Sequence, residues 1–196
     1  MIITFEGTDS VGKTTHVRRF LAYLKEKYPD RTIEHIKLPD YTSVTGARIR
    51  AMLGAAVPVD HTLMQSLMVV NRLELLPPEF YYISDTIYVV DRYTDSGIVY
   101  GMAGGLDEEW LRKINYKFPK PHLTYLLTMP LEKMRERRPN TDNFEALYFQ
   151  VKVKSYYEKL LSPDDPRVAV VNTDRPVTEA EKEIQDVFVT RCAPLL

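Results

Sequence analysis

Short apolar runs alternate with amphipathic stretches along the whole chain. Residues 1–6 (MIITFE) are almost wholly apolar and read as a short buried strand. The loop 7–14 (GTDSVGKT) follows, and then a helix with Val17, Phe20, Leu21 and Leu24 at offsets of three, four and seven. Pro29 and Asp30 stop that helix. A second strand is predicted over 32–37, closed by Pro39, and a helix over 44–54. A longer helix starts near Asp60 and sets Leu63, Leu67, Val70 and Leu73 on one face, until Pro77 and Pro78 end it. Strands are predicted again at 86–90 (TIYVV), 122–128 (HLTYLLT) and 167–172 (RVAVVN). Between them lie helical segments within 92–117 and a helix over 144–160, with Phe144, Leu147, Tyr148 and Val151 aligned. A last helix carries Val177, Ala180, Ile184, Val187 and Phe188. Five strands separated by helices predict an α/β fold, a three-layer arrangement with a five-stranded parallel sheet covered on both faces. No repeat, low-complexity tract or linker divides residues 1–196, so a single domain is expected.

Composition narrows the function classes. The chain has 196 residues and a formal net charge of −1, which gives no basic footprint for nucleic acid. One cysteine, Cys192, rules out a disulfide within the chain and suits a reducing, cytoplasmic setting. The start MIITFEG enters a strand directly and predicts no secretory leader. No stretch reaches the roughly 18 unbroken apolar residues of a membrane span. The four histidines, His16, His35, His61 and His122, show no metal-ligand spacing and read as structural or solvent-facing.

The strongest chemical signal is the loop between the first strand and the first helix. GTDSVGKT matches G-x-x-x-x-G-K-[ST] through Gly7, Gly12, Lys13 and Thr14, in the strand–loop–helix setting the motif requires. Glycines there let the backbone turn its N–H groups onto phosphate oxygens, and the helix start adds unpaired donors and a positive dipole end. Residues Gly7, Thr8, Asp9, Ser10, Val11, Gly12, Lys13, Thr14 and Thr15 are therefore expected to hold ATP. Lys13 reaches toward the β- and γ-phosphates, and Thr14 offers a hydroxyl to Mg²⁺. Asp9 is an odd neighbour for a triphosphate. It reads either as a solvated loop acid or as an acceptor turned toward a second substrate.

Three stretches together, FEGTDSVGKTT at 5–15, NRLE at 71–74 and DRYTDSGIVY at 91–100, resemble the thymidylate kinase family of nucleoside monophosphate kinases. The resemblance extends over nearly the whole chain. It implies transfer of the γ-phosphoryl group of ATP to dTMP, giving dTDP and ADP, with Mg²⁺ as cofactor and a homodimer as the assembly. It implies that Asp9 meets the deoxyribose 3′-hydroxyl, that Arg72 holds the thymine edge, and that Arg92 orients the acceptor phosphate. By the same resemblance Tyr100 packs near C2′, Arg50 approaches the acceptor phosphate, and Asn172 and Thr173 lie in the adenine-side loop. Pro39, Met68, Ser96 and Gly97 complete the expected acceptor site. The basic run with Arg135, Arg137 and Arg138 falls where such kinases carry a lid, here about 134–143. Arg137 or Arg138 is then expected to meet the phosphates, followed by a D-x-x-E pair at Asp142 and Glu145.

The residues themselves leave some roles open. Asp91 ends an apolar strand at the crevice side of a parallel sheet, where it fits either Mg²⁺ or a cap on the next helix. Arg92 offers a planar fork for phosphate or a salt bridge to a nearby acid, and Arg72 fits either a substrate contact or a surface position on its helix. Ser96 fits a local backbone bond in the DRY segment or a plain helix position. Tyr93 reads as packing. Two departures from the family bear on the base. Met68 stands where an aromatic residue often stacks, and Gly101 stands where bacterial members carry a glutamine that reads the pyrimidine edge. dUMP therefore remains an alternative acceptor, as do another deoxynucleotide, a deoxynucleoside or a non-catalytic ATP-binding role. The methyl that separates dTMP from dUMP is worth only about a few-fold to a hundredfold in discrimination.

Overall fold

The computed structural model describes residues 1–55, 58–82, 85–137 and 144–196, with residues 144–147 described by their backbone alone. Five strands form one all-parallel sheet: β1 (Ile2–Glu6), β2 (Ile33–Lys37), β3 (Ile87–Asp91), β4 (Leu123–Thr128) and β5 (Val168–Asn172). Their spatial order is β2-β3-β1-β4-β5, so the strand that feeds the phosphate loop is central. β1 and β3 are buried at every position, so both read as mainly apolar runs rather than alternating ones, broken only by Thr4 and closed by Glu6 and Asp91.

Helices cover both faces. On one face α1 (Lys13–Lys27) and α8 (Val177–Arg191) pack over Ile3, Phe5, Tyr125 and Val171 through Val17, Phe20, Ile184 and Phe188. Phe20 lies at the centre of this layer, with Phe5, Tyr125 and Phe188 at 5.4–5.8 Å between ring centroids. The opposite face divides in two. Ile2, Tyr88 and Val90 pack with Phe80, Tyr93 and Phe118, while Leu126 and Val168 pack with residues of α4 (Thr94–Ala103) and α7 (Phe144–Leu160). The remaining helices are α2 (Val44–Leu53), α3 (His61–Leu75), α5 (Glu108–Asn115) and α6 (Leu131–Glu136).

Two helical faces differ from the sequence expectation. On α3, Leu63, Val70 and Leu73 are 43%, 46% and 54% exposed, while Met64, Gln65, Asn71 and Arg72 are buried. The inner face of α3, with Met64, Gln65, Met68 and Arg72, borders a cavity instead of the core, while Leu63, Val70 and Leu73 point outward. On α7, Tyr148 and Val151 are exposed, and Val153 and Tyr157 make the core contact. Of the predicted lid, residues 134–136 end α6. Arg138, Asp142 and the side chain of Glu145 lie outside the described residues.

Candidate active site

The site grows out of the carboxyl ends of β1 and β3. These strands run in register, with Phe5 opposite Asp91, so Gly7 and Arg92 leave the sheet side by side. The Arg92 N–H donates to the Phe5 carbonyl at 3.0 Å. Gly7 (φ +138°) and Gly12 (φ +88°) adopt dihedrals that side chains resist, and a Cβ on Gly7 would lie 2.4 Å from the Leu127 carbonyl oxygen. Gly12 caps α1 without a side-chain bond, leaving the first N–H groups of that helix for a ligand. Lys13 folds back onto the loop, donating to the carbonyls of Gly7 (3.0 Å) and Thr8 (2.6 Å). Burial, with the nearby charge of Arg92, lowers its pKa to about 7.

The loop is pinned on both sides. Thr173, just after β5, donates to the Val11 carbonyl at 2.8 Å, so its hydroxyl is spent on positioning the loop. Asn172 is exposed and accepts from the Asp174 N–H. Thr8 contacts the Met134 sulfur, and Arg137 donates to the Ser10 carbonyl at 3.3 Å, which brings the end of α6 over the phosphate loop. Thr14 is exposed on the first turn of α1, with Thr15 beside it.

Asp9 leaves the loop in the other direction. Its carboxylate accepts from Arg92, from the Tyr100 hydroxyl at 3.2 Å and from Gln150 at 3.4 Å. The solvated-acid alternative is thereby set aside. The Arg92 guanidinium also lies 5.1 Å from the Tyr100 ring centroid and donates to Gly7 and Ser96. Arg92 has φ +67°, a left-handed conformation that a non-glycine residue adopts at some cost. Burial pushes the Tyr100 phenol up to about 12, so it stays protonated and donates to Asp9 at neutral pH.

What holds this turn is Glu6, which the sequence reading did not single out. It is fully buried at the end of β1 and accepts from the Tyr93 N–H (2.7 Å), the Ser96 N–H (3.3 Å), the Ser96 hydroxyl and the Tyr157 hydroxyl (2.9 Å). Ser96 therefore does hold the DRY segment, but through this carboxylate across the sheet end and not through a local backbone bond. Tyr93 packs as expected. Asp91 caps nothing: α4 begins at Thr94 with Tyr93 as its cap residue and no side-chain cap bond. Among the described residues the Asp91 carboxylate, 3% exposed, accepts no hydrogen bond.

Next to Asp9 and Arg92 opens a cavity of about 600 Å³, lined by Pro39, Tyr41, Met68, Arg72, Ser96, Gly97 and Tyr100 among others. The surface-arginine alternative for Arg72 fails, since it is 3% exposed. It donates to the Asn115 side chain and lies 5.3 Å from the Phe118 ring centroid, and burial lowers its pKa to about 10. Gly97 makes room for it, since a Cβ there would lie 2.7 Å from the guanidinium. Neighbouring Asn71 bonds to both backbone groups of Asp40 and to the hydroxyls of Ser43 and Thr45, which fixes the approach to α2. Arg50 is not brought into the cavity; it is exposed on the last turn of α2. Gly101 has its missing side chain facing Leu111 of α5, where a Cβ would lie 2.5 Å from a leucine methyl, so this position packs two helices and is not among the residues that line the cavity. His61, expected to be structural or solvent-facing, lines the cavity and stacks on Phe149.

A phosphate loop at the end of the central strand, with an adjoining cavity reached by its own acid, defines a P-loop nucleotide kinase. The thymidylate kinase family model matches residues 5–184, and the chain belongs to that family. It is 32% identical over 192 residues to the thymidylate kinase of Dictyostelium discoideum, covering 96% of this chain and 84% of that one. It is 27% identical over 189 residues to the thymidylate kinase of Danio rerio, covering 95% and 88%. A solved thymidylate kinase structure from Candida albicans superposes with a TM-score of 0.77 at 26% identity, covering 96% of this chain and 91% of that one. The family is one of ATP-dependent kinases that phosphorylate dTMP to dTDP.

Proposed function

We propose that the phosphate loop binds ATP and the adjoining cavity binds dTMP, with phosphoryl transfer across the boundary between them. The observation that carries this reading is Asp9. Its backbone belongs to the phosphate loop, yet its carboxylate lies in the second cavity against Arg92 and Tyr100. Both reaction partners therefore meet around one residue.

The acceptor is already an ionised phosphate, so no general base is required. One of its oxygens forms the new bond to the γ-phosphorus as the bond to the β-bridging oxygen breaks and ADP leaves. Lys13 and Arg92, both largely buried, hold the growing negative charge. Arg137 adds charge from the α6 end. Asp9 accepts the sugar 3′-hydroxyl, Tyr100 walls off C2′, Met68 covers the base and Arg72 donates to its carbonyl. Asn172 belongs to the adenine side, and Thr173 holds the loop.

The residues fit Mg²⁺. Thr14 and Asp91 supply hard oxygen donors, and Asp91 has a carboxylate with no hydrogen bond among the described residues. When bound, the ion neutralises phosphate oxygens. A homodimer is supported by the outward apolar stripe of α3, Leu63, Val70 and Leu73, which a second copy would cover. No helix among the described residues is long and apolar enough to cross a membrane, and with a buried free Cys192 we place the chain in the cytoplasm.

A coupled assay with a panel of deoxynucleoside monophosphates, compared by kcat/KM, tests the reading. dTMP should lead, with dUMP behind it by the worth of one methyl group. No diphosphate from any member of the panel overturns the acceptor assignment.

A further inference from the structure

Gln65 sits on the inner face of α3 at 4% exposure and lines the acceptor cavity. Among the described residues its side-chain amide makes no hydrogen bond, and its polar end is open to the cavity that the residue lines. It lies three residues before Met68 and seven before Arg72, so all three share one helical face. Its Oε1 and the Arg72 Nη2 both border Gly97: a Cβ placed there would lie 3.4 Å from the first and 2.7 Å from the second. A glutamine acceptor and a guanidinium donor are thus set next to each other at the deep end of the cavity.

We infer that Gln65 reads the pyrimidine edge together with Arg72. The edge of thymine or uracil presents acceptor, donor, acceptor: O4, N3–H, O2. Arg72 has donors only, and the Gln65 amide offers one acceptor and one donor. Taken in order they present donor, acceptor, donor, which complements that edge at every position. Cytosine presents an amino donor at C4 and an acceptor at N3. Turning the amide of Gln65 would satisfy N3, but the amino group would still face a buried cation that has no acceptor. Specificity for the 4-oxo pyrimidines therefore comes from the pair, and α3 supplies the polar reader that position 101 does not. This inference rests on the dTMP kinase reading above.

The test compares the unaltered chain with Gln65→Leu, which keeps volume and removes both polar ends, using dTMP and its N3-methylated analogue. Gln65→Met serves as a second variant of the same kind should the first fail to fold. The KM for dTMP should rise roughly tenfold or more, with kcat and the KM for ATP nearly unchanged. The preference for dTMP over the N3-methylated analogue should shrink in the variant, a change that a purely structural role would not produce. An unchanged KM for dTMP, or an equal preference in both proteins, overturns the role of Gln65. Failure of the unaltered chain to form dTDP overturns the kinase reading instead.

Discussion

One unbroken stretch, Gly7 to Lys13, makes the phosphate loop, whereas the acceptor cavity beside it draws its lining from α3, α4, α7 and the segment after β2. The loop works through backbone geometry: positive φ at Gly7 and Gly12, a free helix start and one lysine. The cavity works through side chains, each held by another. Arg72 is held by Asn115, Arg92 by Asp9, and the DRY turn by Glu6. The contrast teaches that the loop's shape is set mainly by backbone geometry within one segment, while the cavity depends on side chains held by others, Asn115 and Glu6 among them.

Substitutions can break this contrast or sharpen it. Lys13→Ala should cost the most in turnover, on the order of 10²- to 10³-fold in kcat. Its thermal unfolding should hold or improve, because a buried ammonium is a cost to the fold. Activity near that of the parent in a steady-state assay would remove Lys13 from the donor site. Glu6→Ala should cost about 3 kcal/mol of stability in chemical denaturation, since it strands four buried donors. A full-strength fold would show that the DRY turn holds itself.

A pH series sharpens the donor side. In the free protein Lys13 loses its proton above about pH 7, and bound triphosphate draws the proton back. Affinity for ATP is therefore fully expressed below pH 7 and should weaken toward pH 9, by as much as about tenfold per unit. Calorimetry in buffers of different ionisation enthalpy should record uptake of a proton on binding. Asn115→Ala should raise the KM for dTMP about three- to tenfold by releasing Arg72, with kcat and the KM for ATP held. The smallest effect on activity is expected of Gly101→Ala. It should lower stability by about 1–3 kcal/mol through overpacking against Leu111, and leave the dTMP preference alone. A change of base preference there would restore position 101 to the cavity.

The same contrast explains what could be read from the chain beforehand. The five strands, the sheet and the phosphate loop were legible because each is local: an apolar run, or glycines at fixed spacing. Arg72, Arg92, Tyr100 and Asp9 were legible through a family resemblance, and the structure brings all four to the cavity. Arg50, expected from the resemblance to approach the acceptor phosphate, is exposed on the last turn of α2 and is not among the residues that line the cavity. The inward face of α3 was misjudged because apolar residues were assumed to point at the core, and here the helix turns its polar residues inward to a ligand cavity. Asn115 had no local signal at all; it reaches Arg72 from 43 residues away. Glu6 did have one: an acid closing an otherwise apolar buried strand needs a structural reason.

The Asp9–Arg92 pair has one more consequence. Arg92, proposed to meet the acceptor phosphate, already pairs with the Asp9 carboxylate. Free phosphate or pyrophosphate, abundant in any cell, would have to compete with that internal partner while offering nothing to Asp9. On the reading proposed above, a deoxynucleotide would bring a phosphate for Arg92 and a hydroxyl for Asp9 together, and so replace both halves of the pair in one event. On that reading the pair would disfavour simple anions and favour a molecule that carries both groups at the right separation.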